Sequence, residues 1–273
     1  MKNLSRFSKV LASAHDAGGA NQLIFLLSKY ENVDFLLTGP AAEIGDAFLE
    51  ISRVNEKFIT LKEYECVIVS SNSQPRLSDR LLAEAQRSSI PTIGILDHWV
   101  NYKSRWKIAP DTIIATDFYA FLVGTLIFGW KTRYRRSEYL CRSVEAVSSN
   151  KVISGSILVL LQPVDAIYDH SINVCICSHM AGIITKLKPN EVVIREHHLT
   201  KAEQCLLNLR RLYLGTEFRL SIPMEPLYKD LSRANSVVGF DTYALFVSRK
   251  AKKNTFSLAA KRRKFLSPRY RKI

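Results

Sequence analysis

Short aliphatic runs recur along the chain, each closed by a polar or glycine-rich cluster and followed by a segment of helical periodicity. Few architectures accommodate that rhythm. Val10 to Ala14 reads as a strand, and His15-Asp16-Ala17-Gly18-Gly19-Ala20-Asn21 as its turn into a helix with an apolar face of Leu23, Phe25, Leu26 and Leu27. Val33 to Leu37 is a second strand, closed by Thr38-Gly39-Pro40 and followed by a helix from Ala41 to Ile51. Cys66 to Val69 is a strand and Leu77 to Arg87 a helix. Ile90 to Leu96 is a strand running into Asp97-His98-Trp99, and Ile113 to Thr116 precedes a helix beginning near Asp117. Strands alternating with helices at this spacing predict a parallel sheet covered on both faces.

Residues 130 to 155 interrupt the pattern with charge, Ser148-Ser149-Asn150 and Gly155, which places an interdomain link there. The rhythm then restarts. Ile157 to Leu161, Val192 to Arg195, Phe218 to Ile222 and Ser236 to Val238 read as strands. A long helical stretch to about Leu187, Lys201 to Leu214, Leu227 to Ala234 and a segment after Thr242 read as helices. The expectation is an α/β protein of two Rossmann-like domains, 1–145 and a smaller 146–273, facing across a cleft that holds the ligand chemistry.

Composition narrows the functional classes. With 47% apolar and 23% charged residues the chain has ordinary globular composition. The longest apolar run, Phe118 to Trp130, covers 13 residues and contains two glycines, short of the ~20 that span a bilayer. The N-terminus leads into a strand without a cleavable apolar region, so secretion is not expected. Cys66, Cys141, Cys175, Cys177 and Cys205 form an odd, scattered set without zinc-finger spacing, read as reduced thiols in a cytoplasmic protein. The net charge of +14 asks for an anionic partner. Much of it sits in Lys131 to Arg136 and in a tail from Lys250 to Lys272. No nucleic-acid-reading motif accompanies that tail, so its expected contact is peripheral, with anionic membrane at the inner face or with a negatively charged glycan.

Five polar clusters fall at strand ends, where open parallel sheets bind ligands. In His15-Asp16-Ala17-Gly18-Gly19 the glycines admit a ligand close to the backbone and the helix start offers amides to an anion, although the same residues suit a plain tight turn. Asp97-His98-Trp99-Val100-Asn101-Tyr102, backed by Arg105 and Trp106, pairs a carboxylate with an imidazole and adds aromatic surface for a sugar ring. Arg195-Glu196-His197-His198 brings cations suited to phosphate; adjacent histidines on an extended segment point opposite ways, so no metal site is expected. Gly239-Phe240-Asp241-Thr242 starts a helix, where Asp241 or Thr242 caps it or holds a phosphate or ribose oxygen. Thr116-Asp117 reads as a helix cap.

Three passages resemble bacterial GT-B glycosyltransferases of surface polysaccharide synthesis and the related UDP-sugar 2-epimerase-like folds: LDHWVNYKSRW from Leu96 to Trp106, VVIREHH from Val192 to His198, and SVVGFDTYAL from Ser236 to Leu245. The last two are similar to the strand ending in Arg-x-His-Pro and the Gly-x-x-Ser/Thr helix start of sialyltransferase-like and glycerophosphotransferase-like members. His198 stands where proline is usual, and Asp241-Thr242 replaces the commoner Ser-Ser or Ser-Thr. The resemblance implies that His197 contacts a donor phosphate and that Asp241 and Thr242 hold its phosphate or ribose. It also implies transfer of a sugar from a nucleotide-activated donor to a glycan or lipid-linked acceptor, without metal or bound cofactor. The base is then Asp16, or Asp97 with His98. Arg195, His197, Gly239, Asp241 and Thr242 line the donor side, and His15, Gly18, Gly19, Trp99, Tyr102 and Arg105 the acceptor side. A nucleotide-sugar epimerase or hydrolase on the same scaffold, and a non-catalytic anion-binding protein, are the rival readings.

Overall fold

The computed structural model describes residues 4–48, 50–71, 76–96, 105–149, 152–161, 180, 182–196, 203–213, 215–221, 227–239 and 242–257. The chain divides into two compact units, Met1–Tyr139 and Leu140–Ile273.

In the first unit, β1 (Val10–Ala14), β2 (Val33–Leu37), β3 (Ser52–Arg53), β4 (Cys66–Ser70), β5 (Thr92–Leu96), β6 (Thr112–Ala115) and β7 (Thr132–Tyr134) form one sheet in the order β3-β2-β1-β4-β5-β6-β7. Every pairing is parallel, with Val10 opposite Val33 on one side and Cys66 on the other. Helices α1 (Ala17–Leu27), α2 (Pro40–Asp46), α3 (Arg76–Arg87) and α4 (Phe118–Phe128) connect the strands, and α5 (Glu138–Ser148) follows β7. A parallel strand covered on both faces has no wet side, so it is written as an unbroken apolar run rather than an alternation. Accordingly, every residue of β1 and β4 is buried. Leu23, Ile24 and Leu27 of α1 pack on Val10, Phe35 and Ile68 of the sheet, which fixes the start of α1 over the ends of β1 and β4.

The second unit repeats the plan with five strands. β8 (Ser156–Leu160), β9 (Glu191–Arg195), β10 (Glu217–Leu220), β11 (Ser236–Gly239) and β12 (Asn254–Ser257) run parallel in the order β10-β9-β8-β11-β12. One face, with Ile157, Val159, Val192 and Ile194, packs on Met180, on Ile184 of α6 (182–187), and on Leu206 and Leu209 of α7 (Glu203–Leu212). The opposite face, with Leu158, Leu160, Val193 and Val237, packs on Leu231 of α8 (Leu227–Arg233), Leu245 of α9 (Tyr243–Lys250) and Val147 of α5. Each unit therefore has the Rossmann-like order in which the chain moves outward from a central strand, returns, and continues on the other side.

Three sequence expectations are corrected. The helix expected to reach Ile51 ends at Asp46, because Ala47 and Phe48 bond the carbonyls of Ile44 and Gly45 in a tightening turn and Ser52–Arg53 is needed as β3 beside Asp34 and Phe35. The division between the units, after Tyr139, falls inside the expected link 130–155 and short of the expected boundary after residue 145, and that stretch is not a linker but contains β7 and α5. Its charges are the solvent side of an edge strand and of an amphipathic helix whose Val147 is fully buried. The basic tail does not begin at Lys250, since Asn254–Ser257 adds β12 to β11; four polar-flanked residues are too short a signal for periodicity to register.

Candidate functional site

In a Rossmann-like sheet, the two neighbouring strands whose connections leave in opposite directions open a crevice at their carboxyl ends. In the first unit these are β1 and β4; in the second, β8 and β11.

The end of β1 delivers His15 and Asp16. Asp16 is the N-cap of α1 by backbone geometry, extended at φ −87 and ψ 145, but its carboxylate does not cap the helix. Gly18 is exposed and Gly19 buried. The reason for glycine at position 19 is steric: a Cβ there would lie 2.4 Å from Ser70 Oγ and 2.6 Å from Ser70 Cβ at the end of β4. Helix α1 consequently begins with its backbone against the Ser70 side chain of the neighbouring strand, and the unpaired amides of a helix start lie beside the crevice. His15 turns towards β2. Its Nδ1 is 3.1 Å from Thr38 Oγ1, and its ring covers Gly39, whose φ of +54 belongs to the left-handed region; a Cβ on Gly39 would stand 2.5 Å from His15 Cε1. Backbone bonds from Thr38 N to Ala14 O and from Ala41 N to His15 O, 3.1 and 2.9 Å, lock the β1 and β2 ends together. The structure thus gathers His15, Asp16, Gly18 and Gly19 and adds Thr38, Gly39, Ser70 and Ser71. Sequence reasoning did not assign a role to these four, although the polar residues closing β2 and β4 were a usable signal.

Arg105, expected to face an acceptor, is buried beside Trp106. Trp106 in turn lies on Gly94, where a Cβ would be 2.9 Å from its ring, and 6.3 Å from Phe128 between ring centres. Asp117 caps α4 by accepting from Ala120 N at 2.8 Å. Asp97, His98, Trp99 and Tyr102 lie outside the described residues, as do His197 and Asp241.

In the second unit Gly239 ends β11 beside β8, with room for a Cβ only at 3.3 Å from Leu160 Cβ and from Thr242 Cγ2. Thr242 is the N-cap of α9, its Oγ1 accepting from Ala244 N at 3.0 Å. Its hydroxyl is therefore engaged by the helix while the first turn of α9 aims its amides past the β11 end. Arg195 closes β9, one strand away. Its Nη1 donates to Asp230 Oδ2 of α8 at 2.5 Å and to Ser221 Oγ at 3.2 Å; Ser221 Oγ donates to the same Asp230 oxygen at 2.5 Å. The Asp230 side chain is 1% exposed and that of Arg195 20%. A guanidinium so paired is already neutralised, which turns Arg195 from a lone phosphate-seeking cation into a clamp joining β9, β10 and α8.

Among the described residues no group of three His, Cys, Asp or Glu side chains converges as a metal site. Burial pushes the Cys66 thiol up to about 12, which leaves no thiolate for nucleophilic work near neutral pH. No helix among the described residues is long and apolar enough to cross a membrane.

No family model matches the chain, and no curated protein matches it in sequence. Solved structures do match in fold. UDP-GlcNAc 2-epimerase from Neisseria meningitidis bound to UDP-GlcNAc superposes with a TM-score of 0.67 at 13% identity, over 92% of this chain and 82% of that one. A glycosyltransferase from Rickettsia africae gives 0.56 at 9% identity, over 91% and 78%. MurG from Acinetobacter baumannii gives 0.53 at 11%, over 89% and 76%. The likeness is one of architecture: this chain has the GT-B-like fold of two Rossmann-like units.

Proposed function

We propose that the chain is a glycosyltransferase that holds a nucleotide-activated sugar on its C-terminal unit and a hydroxyl-bearing glycan or lipid-linked acceptor on its N-terminal unit. One observation supports this above others: in both sheets a helix starts beside a glycine at the strand pair where Rossmann-like units take ligands, α1 after Asp16 with Gly18 and Gly19 in its first turn, and α9 after Thr242 with Gly239 closing the strand before it. The fold neighbours add the ligand class, since one is described as bound to UDP-GlcNAc.

In this reading Asp16 removes the proton from the acceptor hydroxyl. The acceptor oxygen attacks the anomeric carbon, the bond from that carbon to the phosphate oxygen breaks, and the nucleotide leaves with the negative charge. The first amides of α9, with Gly239 permitting close approach, stabilise that charge. Asp97 with His98 is the alternative base, and His197 on the phosphate, Asp241 on the phosphate or ribose, and Trp99 and Tyr102 on the acceptor complete the proposal from the sequence.

Asp16→Asn should lower turnover by roughly 10²–10⁴ while leaving donor affinity unchanged. A thermal-shift screen with CMP, UDP, GDP and CDP sugars should show stabilisation by one nucleotide class through mass action. Unaltered turnover in Asp16→Asn rejects Asp16 as the base and passes that role to Asp97 with His98; no stabilisation by any nucleotide sugar rejects the assignment. The solved structures of like fold include an epimerase as well as transferases, and a nucleotide-sugar epimerase on the same scaffold is the second reading. Product analysis without acceptor separates the two, because an epimerase converts the nucleotide sugar alone and a transferase requires the acceptor.

A further inference from the structure

Helix α4 inverts the usual pattern of a surface helix. Its sequence, Phe-Tyr-Ala-Phe-Leu-Val-Gly-Thr-Leu-Ile-Phe, contains no charge, yet its buried residues are the two small ones, Ala120 and Gly124. Gly124 lets the helix lie flat, since a Cβ there would stand 3.2 Å from Thr132 Cγ2 of β7 and 3.4 Å from Leu96 Cδ2 of β5. Three of the large side chains point away, while Tyr119, Phe121, Val123, Ile127 and Phe128 are half-buried. Phe118, Leu122 and Leu126 recur every fourth residue and are 61%, 47% and 86% exposed; Trp130, next on the same spacing, is 78% exposed. Tyr134 extends the stripe, its ring centre 6.2 Å from Phe118 and 6.1 Å from Phe121. Apolar composition retained on the outward face of a helix serves something other than the core.

Charge identifies what it meets. From Phe118 to Ser137 the chain has no acidic residue and four cations, Lys131, Arg133, Arg135 and Arg136. Arg135 pairs with Glu138 at 2.8 Å, whereas Lys131, Arg133 and Arg136 make no ion pair among the described residues. Arg133 bonds the Trp130 carbonyl at 2.5 Å, which fixes the tryptophan loop without neutralising the guanidinium. An apolar stripe with tryptophan and tyrosine beside a cationic strip matches the two layers of a lipid surface, acyl boundary and anionic headgroup. A second copy of a chain with net charge +14 would present the same cations to one another and is disfavoured.

We infer that the α4–β7 face of the N-terminal unit docks on anionic bilayer, with Leu126 and Trp130 entering the headgroup boundary and Lys131, Arg133 and Arg136 on the lipid phosphates. This proposal uses none of the basic residues from Lys261 to Lys272 and does not depend on the chemistry proposed above.

The test is vesicle sedimentation of the full chain with phosphatidylcholine alone and with about one third phosphatidylglycerol. The expected result is binding to the anionic vesicles that weakens with salt. Each cation lost should weaken it about fivefold. Leu126→Glu with Trp130→Glu should reduce it at least about tenfold at unchanged melting temperature. Trp130 emission should shift to the blue on binding, and that shift should vanish in Trp130→Phe. Charge reversal at Lys261, Arg262 and Arg263 should leave the fluorescence shift in place. The inference is overturned if the native chain ignores anionic vesicles, or if Leu126→Glu with Trp130→Glu binds as native does. It is also overturned if sedimentation velocity without lipid shows a dimer that this double substitution dissolves.

Discussion

Replacing Gly19 by alanine adds one methyl where the structure has no space for it. The new carbon would sit 2.6 Å from Ser70 Cβ and 2.4 Å from Ser70 Oγ, both on a fully buried residue of β4. Ordinary contact begins near 3.4 Å, so the start of α1 must retreat by about 0.8–1.0 Å or β4 must bend. Overpacking of this kind costs about 1–3 kcal/mol. For a unit of this size that corresponds to a fall of about 4–10 °C in melting temperature. The same retreat displaces the α1 amides and Asp16 from the β1–β4 crevice, so turnover should fall together with stability. Differential scanning calorimetry on Gly19→Ala, Ser70→Gly and the double variant provides the check. Ser70→Gly alone should cost about 1 kcal/mol as a strand glycine. In the double variant the new methyl occupies space vacated by the serine hydroxymethyl, and the two costs should fall short of additivity by at least about 1 kcal/mol. A Gly19→Ala protein that melts with the native one, or strictly additive costs, refutes the steric account of this glycine.

Arg195→Met strands a carboxylate that is 1% exposed, and should destabilise the C-terminal unit by about 3–5 kcal/mol, whereas Arg195→Met with Asp230→Leu should recover most of it; chemical denaturation of the three proteins decides. Thr242→Ala removes the cap of α9 at a cost of about 1 kcal/mol, and isothermal titration should show weaker nucleotide binding, while unchanged binding would separate α9 from the donor site. Burial pushes the Glu138 carboxyl up, but Arg135 and Lys29, hydrogen-bonded to it at 2.8 and 3.2 Å, hold it below its ordinary value. Its folded value being the lower one, the stability it contributes is present above the unfolded value and disappears as pH falls through the folded one. Glu138→Gln should therefore lose less melting temperature than the native chain on acidification below about pH 4.5.

The strands were legible because burial on both faces forces runs such as Val10–Ala14, Cys66–Ser70 and Ser156–Leu160 to be apolar throughout, and such runs need no partner to be recognised. Strand β7, Thr-Arg-Tyr, was not, because an edge strand of three residues is half solvated and its cations read as a linker. Within the site, the residues on one side of a turn were readable and their partners were not. His15 meets Thr38 and Gly39 more than twenty residues on, Gly19 meets Ser70, and Arg195 meets Asp230, contacts set by strand order rather than by local spacing. Gly19 shows the cost of local reading most plainly: beside Gly18 it suggested room for a ligand, while its own missing side chain makes room for a neighbouring strand.

The margins of the two sheets govern how this protein behaves when crowded. Each sheet ends in brief ladders, β3 with two residues and β7 with three in one, β10 and β12 with four each in the other. Arg53, Arg133 and Arg219 occupy three of these ends, and Lys252 and Lys253 precede the fourth. A stray strand arriving there finds few open amides and long charged side chains, two of them, Arg53 and Arg219, held by Asp46 and Glu191, so it meets no long flat apolar edge to pair with.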